Sequence, residues 1–121
     1  THAKAMLSET GIALTYDEWI QHKESIHALL ASGEVDILQC MSIKHIGSQH
    51  EAFDDRWLED VSAIKTMYPT LHVHMDGGIH QNNIIGVYES GVDAAIVGSG
   101  IFGDGNASDN LIEFRNILDQ E

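Results

Sequence analysis

Cysteine is almost missing from this chain: Cys40 is the one thiol in 121 residues. That excludes an internal disulfide framework and suits a reducing, cytoplasmic setting. Proline occurs once, at Pro69, and no linker or low-complexity tract interrupts the sequence. Basic residues are scarce as well, 6 Lys and Arg against 19 Asp and Glu, for a formal charge of −13. A surface so acidic repels nucleic-acid phosphates and anionic lipid, which sets both aside as partners. No apolar run approaches the ~20 residues of a membrane span, and no signal-peptide pattern opens the chain. What is present is ordinary globular composition, 43% hydrophobic and 21% charged, rather than that of a disordered polymer. The length suits one domain burying roughly 60–70% of its unfolded surface, or a piece of a larger one. An opening Thr1 in place of methionine is compatible with trimming or with a longer parent chain.

Four short apolar runs alternate with four longer amphipathic ones. Residues 3–8 read as a first strand, with Glu9, Thr10 and Gly11 as the loop that ends it. Thr15 and Glu18 form a capping-box pattern, each side chain able to bond the other's backbone N–H. The helix that follows has Trp19, Ile20, Ile26, Leu29 and Leu30 as expected inner positions and Gly33 as its stop. Residues 35–43 form a second strand, apolar enough to suggest burial on both faces. A second helix is expected over residues 54–67, with Asp54 and Asp55 at its positive end. A third strand covers 71–75 and breaks at Gly77-Gly78; a third helix covers 81–90 and stops at Gly91. A fourth strand covers 93–97 and ends at Gly98-Ser99-Gly100. The last helix covers 111–118, with Asn110 and Glu113 resembling a capping box. Alternation of this kind gives an α/β fold of parallel strands joined by right-handed crossovers. Four units make half of an eight-stranded (β/α)8 TIM-type barrel or a small open sheet, and periodicity alone does not choose between them.

Ligands of parallel α/β folds bind beyond the carboxyl ends of the strands, where every glycine-rich or polar cluster of this sequence falls. Gly77-Gly78 and Gly98-Ser99-Gly100 end neighbouring strands and could cradle a phosphate through backbone N–H groups. Glycines that merely make tight turns account for them equally well. Asp76, at a strand end, could ligate a divalent metal or move a proton; on residue type and place alone, capping a helix or accepting turn N–H bonds is the slightly favoured reading. Alternation puts His72, His74 and Asp76 on one face, where the two histidines read as interior hydrogen-bonding groups rather than metal ligands. Met41 shares a face with Ile37 and Gln39 and reads as core. Gly47 and Ser48 could lend donors to an anion or belong to a plain loop. His45, His50 and His80 read as solvated, and Cys40 as a buried small side chain facing the helices.

Met41-Ser42-Ile43 followed by Gly47-Ser48-Gln49 and Phe53 resembles the "MSV…GGQ…F" segment of ribulose-phosphate 3-epimerases. His74-Met75-Asp76-Gly77-Gly78-Ile79 is similar to that family's "VDGGI", with Asn83-Ile84 where its "NI" opens a helix. Glu89-Ser90-Gly91-Val92-Asp93 and Val97-Gly98-Ser99-Gly100-Ile101-Phe102 resemble its "EAGAD…VGSAIF". The resemblance implies a cytoplasmic barrel enzyme of the pentose phosphate pathway that inverts C3 of a ketopentose phosphate through an enediolate. It implies two aspartates on opposite faces of the substrate and a divalent metal (zinc, iron, manganese or cobalt) held by those aspartates and two histidines. Asp76 matches the later aspartate, as proton carrier and metal ligand. Gly77, Gly78, Gly98 and Ser99 match the phosphate turns; Gly47 and Ser48 match a loop that folds over substrate. Met41 matches a methionine that shields the enediolate.

Residues 44–49 depart from the family's "NPGFGGQ", lacking its proline and one glycine. The match covers strands five to eight, so residues 1–121 read as the C-terminal half of the barrel. The earlier aspartate and both histidine ligands belong to the first half. The expected partners are therefore a sugar-phosphate substrate and either the missing half or a second copy of the chain. Two other readings stand beside this one: a related sugar-phosphate epimerase or decarboxylase, and a non-catalytic phosphate-binding half-barrel.

Overall fold

The computed structural model describes residues 9–43, 52–103 and 105–119. Four strands, β1 (Gly11–Thr15), β2 (Ile37–Met41), β3 (His72–Asp76) and β4 (Ala94–Ile96), form one parallel sheet in the order β1-β2-β3-β4. Helices α1 (Tyr16–Gln21) and α2 (Lys23–Ala31) join β1 to β2, α3 (Trp57–Met67) joins β2 to β3, and α4 (Ile84–Glu89) joins β3 to β4. A one-turn helix α5 (Ser99–Phe102) and a longer α6 (Ala107–Asp119) follow. The expected α/β alternation is thus present, with the neighbouring strands in chain order that half of a (β/α)8 barrel would have.

One face of the sheet makes the core. Leu38, Cys40, Val73 and Met75 are fully buried and meet Trp19, Trp57, Val61, Ile64 and Val87 from the helices. Cys40 faces the helices as expected, and its burial pushes the thiol up to about 12, so at neutral pH it packs rather than reacts. The two-sided burial expected of the second strand is corrected. Ile37, Gln39 and Met41 are only half-buried, because no described element covers their face. The same openness leaves His72 exposed and His74 half-buried, so His72 is not an interior residue here.

Several boundaries move. The expected first strand, residues 3–8, lies outside the described residues, and the paired strand begins at Gly11, which the sequence assigned to a loop. Register explains the choice: Gly11 pairs with Ile37, and a Cβ there would meet the Ile37 side chain and carbonyl at 3.4 Å. Ile12 and Leu14 then pack toward the core. The capping box at Thr15 is present, Glu18 N–H donating to Thr15 Oγ1 (3.2 Å) and Thr15 N–H to Glu18 Oε1 (3.0 Å). The helix breaks at His22, however, and with Trp19, Ile26 and Leu30 turned inward, Ile20 and Leu29 are 49% and 43% exposed rather than inner. The second helix opens at Trp57, three residues late, because buried Asp54 is taken up by Arg56 Nε (2.8 Å) and Nη2 (2.7 Å). The last helix starts at Ala107, four residues early: Asn106 Oδ1 accepts from Asp109 N–H (3.1 Å), while Asn110 Nδ2 donates to the Ile101 carbonyl (2.8 Å). Asn110 is therefore inside the helix. Among the described residues no helix is long and apolar enough to cross a membrane.

Candidate functional site at the carboxyl ends of the strands

Parallel pairing brings the candidate residues together. Met41 ends β2 and is in register with Asp76 at the end of β3, which is in register with Ile96 two residues before Gly98. Ser42, fully buried, ties these ends together. Its N–H donates to the Asp76 carbonyl (2.8 Å) and its Oγ–H to the Gly77 carbonyl (2.6 Å). Its own carbonyl accepts from Asp54 N–H (2.7 Å), so the start of α3 hangs on the same residue. Trp57 Nε1–H reaches the Met41 carbonyl (3.1 Å). With the backbone fixed in this way, the Asp76 side chain is half-buried on the open face.

Among the described residues Asp76 neither caps a helix nor closes a turn. Its Oδ2 accepts from Gln39 Nε2 (3.1 Å), and the same amide lies 3.5 Å from Met41 Sδ. The sequence pattern places Gln39 only on the face it shares with Ile37 and Met41, yet it is the side chain that meets the candidate acid–base group. Strand alternation puts it two residues before Met41 on that face, which is the signal that could have singled it out.

The glycine pair is demanded by geometry. Gly77 (φ +121°) and Gly78 (φ +68°) occupy backbone conformations that L side chains rarely adopt. A Cβ at Gly77 would lie 2.8 Å from Ile43 Cγ2, and one at Gly78 would lie 2.7 Å from Phe53 Cα. Tight packing therefore explains both residues without a ligand. Gly78→Ala is expected to cost about 2–4 kcal/mol, from the left-handed conformation and from overpacking against a main chain that cannot move aside. Urea unfolding followed by the fluorescence of buried Trp19 and Trp57 measures it. Gly98 is different: its φ is −110°, and a Cβ there meets nothing within 4 Å. The fold leaves that space open at the Gly98-Ser99 strand end.

Beyond the glycine pair, Asn83 closes the loop, its Nδ2 donating to the Gly78 carbonyl (2.9 Å) while its Oδ1 accepts from His80 N–H (2.9 Å). Gln81 Nε2 reaches the Gly100 carbonyl (3.2 Å). His80, expected to be solvated, is half-buried, and its Nε2 is 3.3 Å from Ser99 Oγ. Gly78, residues 80–83 and Ala52-Phe53 wall a cleft of about 570 Å³. Of the residues singled out as candidates for the site, only Gly78 lines this cleft, so it lies beside Asp76 rather than over it. Gly47, Ser48, His45 and His50 lie outside the described residues.

Among the described residues no group of three or more His, Cys, Asp and Glu side chains is placed to hold a metal ion. Asp76 with its glutamine neighbour does not make a metal centre by itself, so ligation there would depend on groups beyond the described residues.

Four parallel strands in chain order, alternating with helices and with polar groups gathered at their carboxyl ends, make an α/β chain of the kind that forms half of a (β/α)8 barrel. The chain belongs to the ribulose-phosphate 3-epimerase family, whose model matches residues 2–102. It is 38% identical over 72 residues to a ribulose-phosphate 3-epimerase of Aquifex aeolicus (strain VF5), a match covering 56% of this chain and 32% of that enzyme. The chain thus aligns with about a third of the length of that relative.

Proposed function

We propose that this chain is the C-terminal half, strands five to eight, of a ribulose-phosphate 3-epimerase-like barrel. In that barrel it supplies one acid–base group and most of the phosphate site for inversion at C3 of a ketopentose phosphate. The observation that carries the reading is Asp76, held by Gln39 on the open face, in register with Met41 and one strand from Gly98-Ser99.

The chemistry follows from that placement. The proton on C3 is acidic because the adjacent carbonyl delocalises the electrons its removal leaves behind. The Asp76 carboxylate takes that proton, forming an O–H bond as the C3–H bond breaks, and a planar enediolate results. Reprotonation from the opposite face inverts the centre, and this needs a second acid that the described strands do not supply. Gln39 keeps the carboxylate aimed across the open face. Met41 beside it is an apolar, polarisable wall that keeps water from the enediolate. The phosphate, remote from the reacting carbon, fixes the sugar's position, and its binding holds C3 against Asp76. Membership of the family and the four-stranded parallel sheet support the half-barrel reading. So does Ile96, 41% exposed on the open face of strand β4, where the opposite strands of a closed barrel would cover it.

Calorimetric titration with ribulose phosphate tests the phosphate assignment. Gly98→Val should leave the fold intact, since its side chain enters open space, yet weaken binding about tenfold or more by filling the approach to the backbone donors. Lys44→Ala should change affinity far less. Equal losses from the two substitutions contradict the reading.

A further inference from the structure

The phosphate reading leaves a charge problem. A chain of formal charge −13 repels a phosphate monoester, and backbone N–H groups offer only partial charges against it. Among the described residues the lysines and arginines are placed elsewhere. Lys65 is spent at the amino ends of the strands, on the Leu71 carbonyl (2.7 Å) and Asp93 (2.9 Å). Arg56 is bound to Asp54 and Asp17. Lys23 lies over the Trp19 ring, 5.5 Å from its centroid, and Arg115 lines an apolar groove with Leu111 and Phe114 on the helical side of β4. Lys4 and Lys44 lie outside the described residues.

His80 stands where a cation is wanted. Its main chain is fixed by Asn83, its ring bridges from the turn after β3 to Ser99 in the turn after β4, and it lines the 570 Å³ cleft beside Gly78. Histidine is the side chain that accepts a proton near neutrality, and an adjacent phosphate favours its charged form. We propose that His80 is the cationic contact for the substrate phosphate, bridging the two strand-end turns in place of a lysine or arginine. The inference rests on the phosphate assignment above and adds the group that makes that site selective for a charged monoester. Ser99 Oγ, 3.3 Å from His80 Nε2, ties the ring to the turn after β4, and in the charged imidazole the other ring N–H is the one left to donate to a phosphate oxygen. Such charge-assisted bonds are shorter and roughly twice as strong as neutral ones.

The experiment is calorimetric titration of the chain with inorganic phosphate, comparing wild type, His80→Gln, His80→Lys and Gly98→Val, with folding checked by near-ultraviolet circular dichroism. Glutamine keeps a donor and removes the charge, and is expected to weaken binding about tenfold. Lysine restores the charge and is expected to stay within about threefold of wild type. Binding by His80→Gln within threefold of wild type overturns the proposal, and so does a lysine variant as weak as the glutamine one. If Gly98→Val loses phosphate while His80→Gln does not, His80 fails and the phosphate site stands. If wild type takes up no phosphate, both fail.

Discussion

Replacing Asp76 by asparagine is expected to lower exchange of the C3 proton of ribulose phosphate by ~10²–10⁴-fold in the assembled barrel. Asparagine keeps the shape and still meets Gln39, whose amide donates to Oδ2 at 3.1 Å in the wild-type chain, but it cannot accept the proton. Because the main chain at Asp76 is fixed by Ser42 rather than by its own side chain, the variant should fold normally and bind phosphate as before. The loss should therefore fall on turnover and leave KM nearly unchanged. Proton exchange followed by NMR in deuterated water measures it, and a variant with near-normal exchange removes Asp76 from the mechanism.

The 121-residue chain on its own is expected to show no epimerisation and to associate in solution. The sheet ends in two edge strands, β1 and β4, which a closed barrel would pair. On the open face Ile37, Gln39 and Met41 are half-buried and Ile96 and His72 exposed, a layer that in a barrel would be filled from the opposite strands. Catalysis fails for a separate reason: one carboxylate reaches one face of a planar enediolate, and inversion requires delivery to the other. Sedimentation and an epimerisation assay with added divalent metal check both parts. An ordered, active monomer contradicts the half-barrel reading and the two-acid argument together.

The parts legible in the sequence were those with a local physical cause. The capping box at Thr15, the Cys40 side of β2 and the left-handed glycines at Gly33, Gly77, Gly78 and Gly91 all follow from residue type and spacing. Met41, Asp76 and Gly98-Ser99 fell at strand ends because alternation of apolar and amphipathic runs places strand ends well. What escaped was decided across the sheet. Gly11 looked like a turn because its strand character comes from pairing with Ile37. Two-sided burial of β2 looked assured because an apolar run does not say whether a second layer is present. Gln39 shared the Met41 face by alternation, but its bond to Asp76, 37 residues on, and that of His80 to Ser99, 19 residues on, are contacts between distant segments that local spacing does not show. Asn110 was read as a cap because Asn followed by Glu three positions on fits that pattern, while the true start uses Asn106.

The most direct test of the central claim combines the chain with a second polypeptide carrying four further family strands, with their aspartate and histidines. Conversion of ribulose phosphate to its C3 epimer is followed by NMR for each polypeptide alone and for the mixture. The account predicts no conversion by either part, conversion by the mixture, and none when the mixture contains Asp76→Asn. Conversion by the 121-residue chain alone, or by the mixture carrying Asp76→Asn, would contradict it.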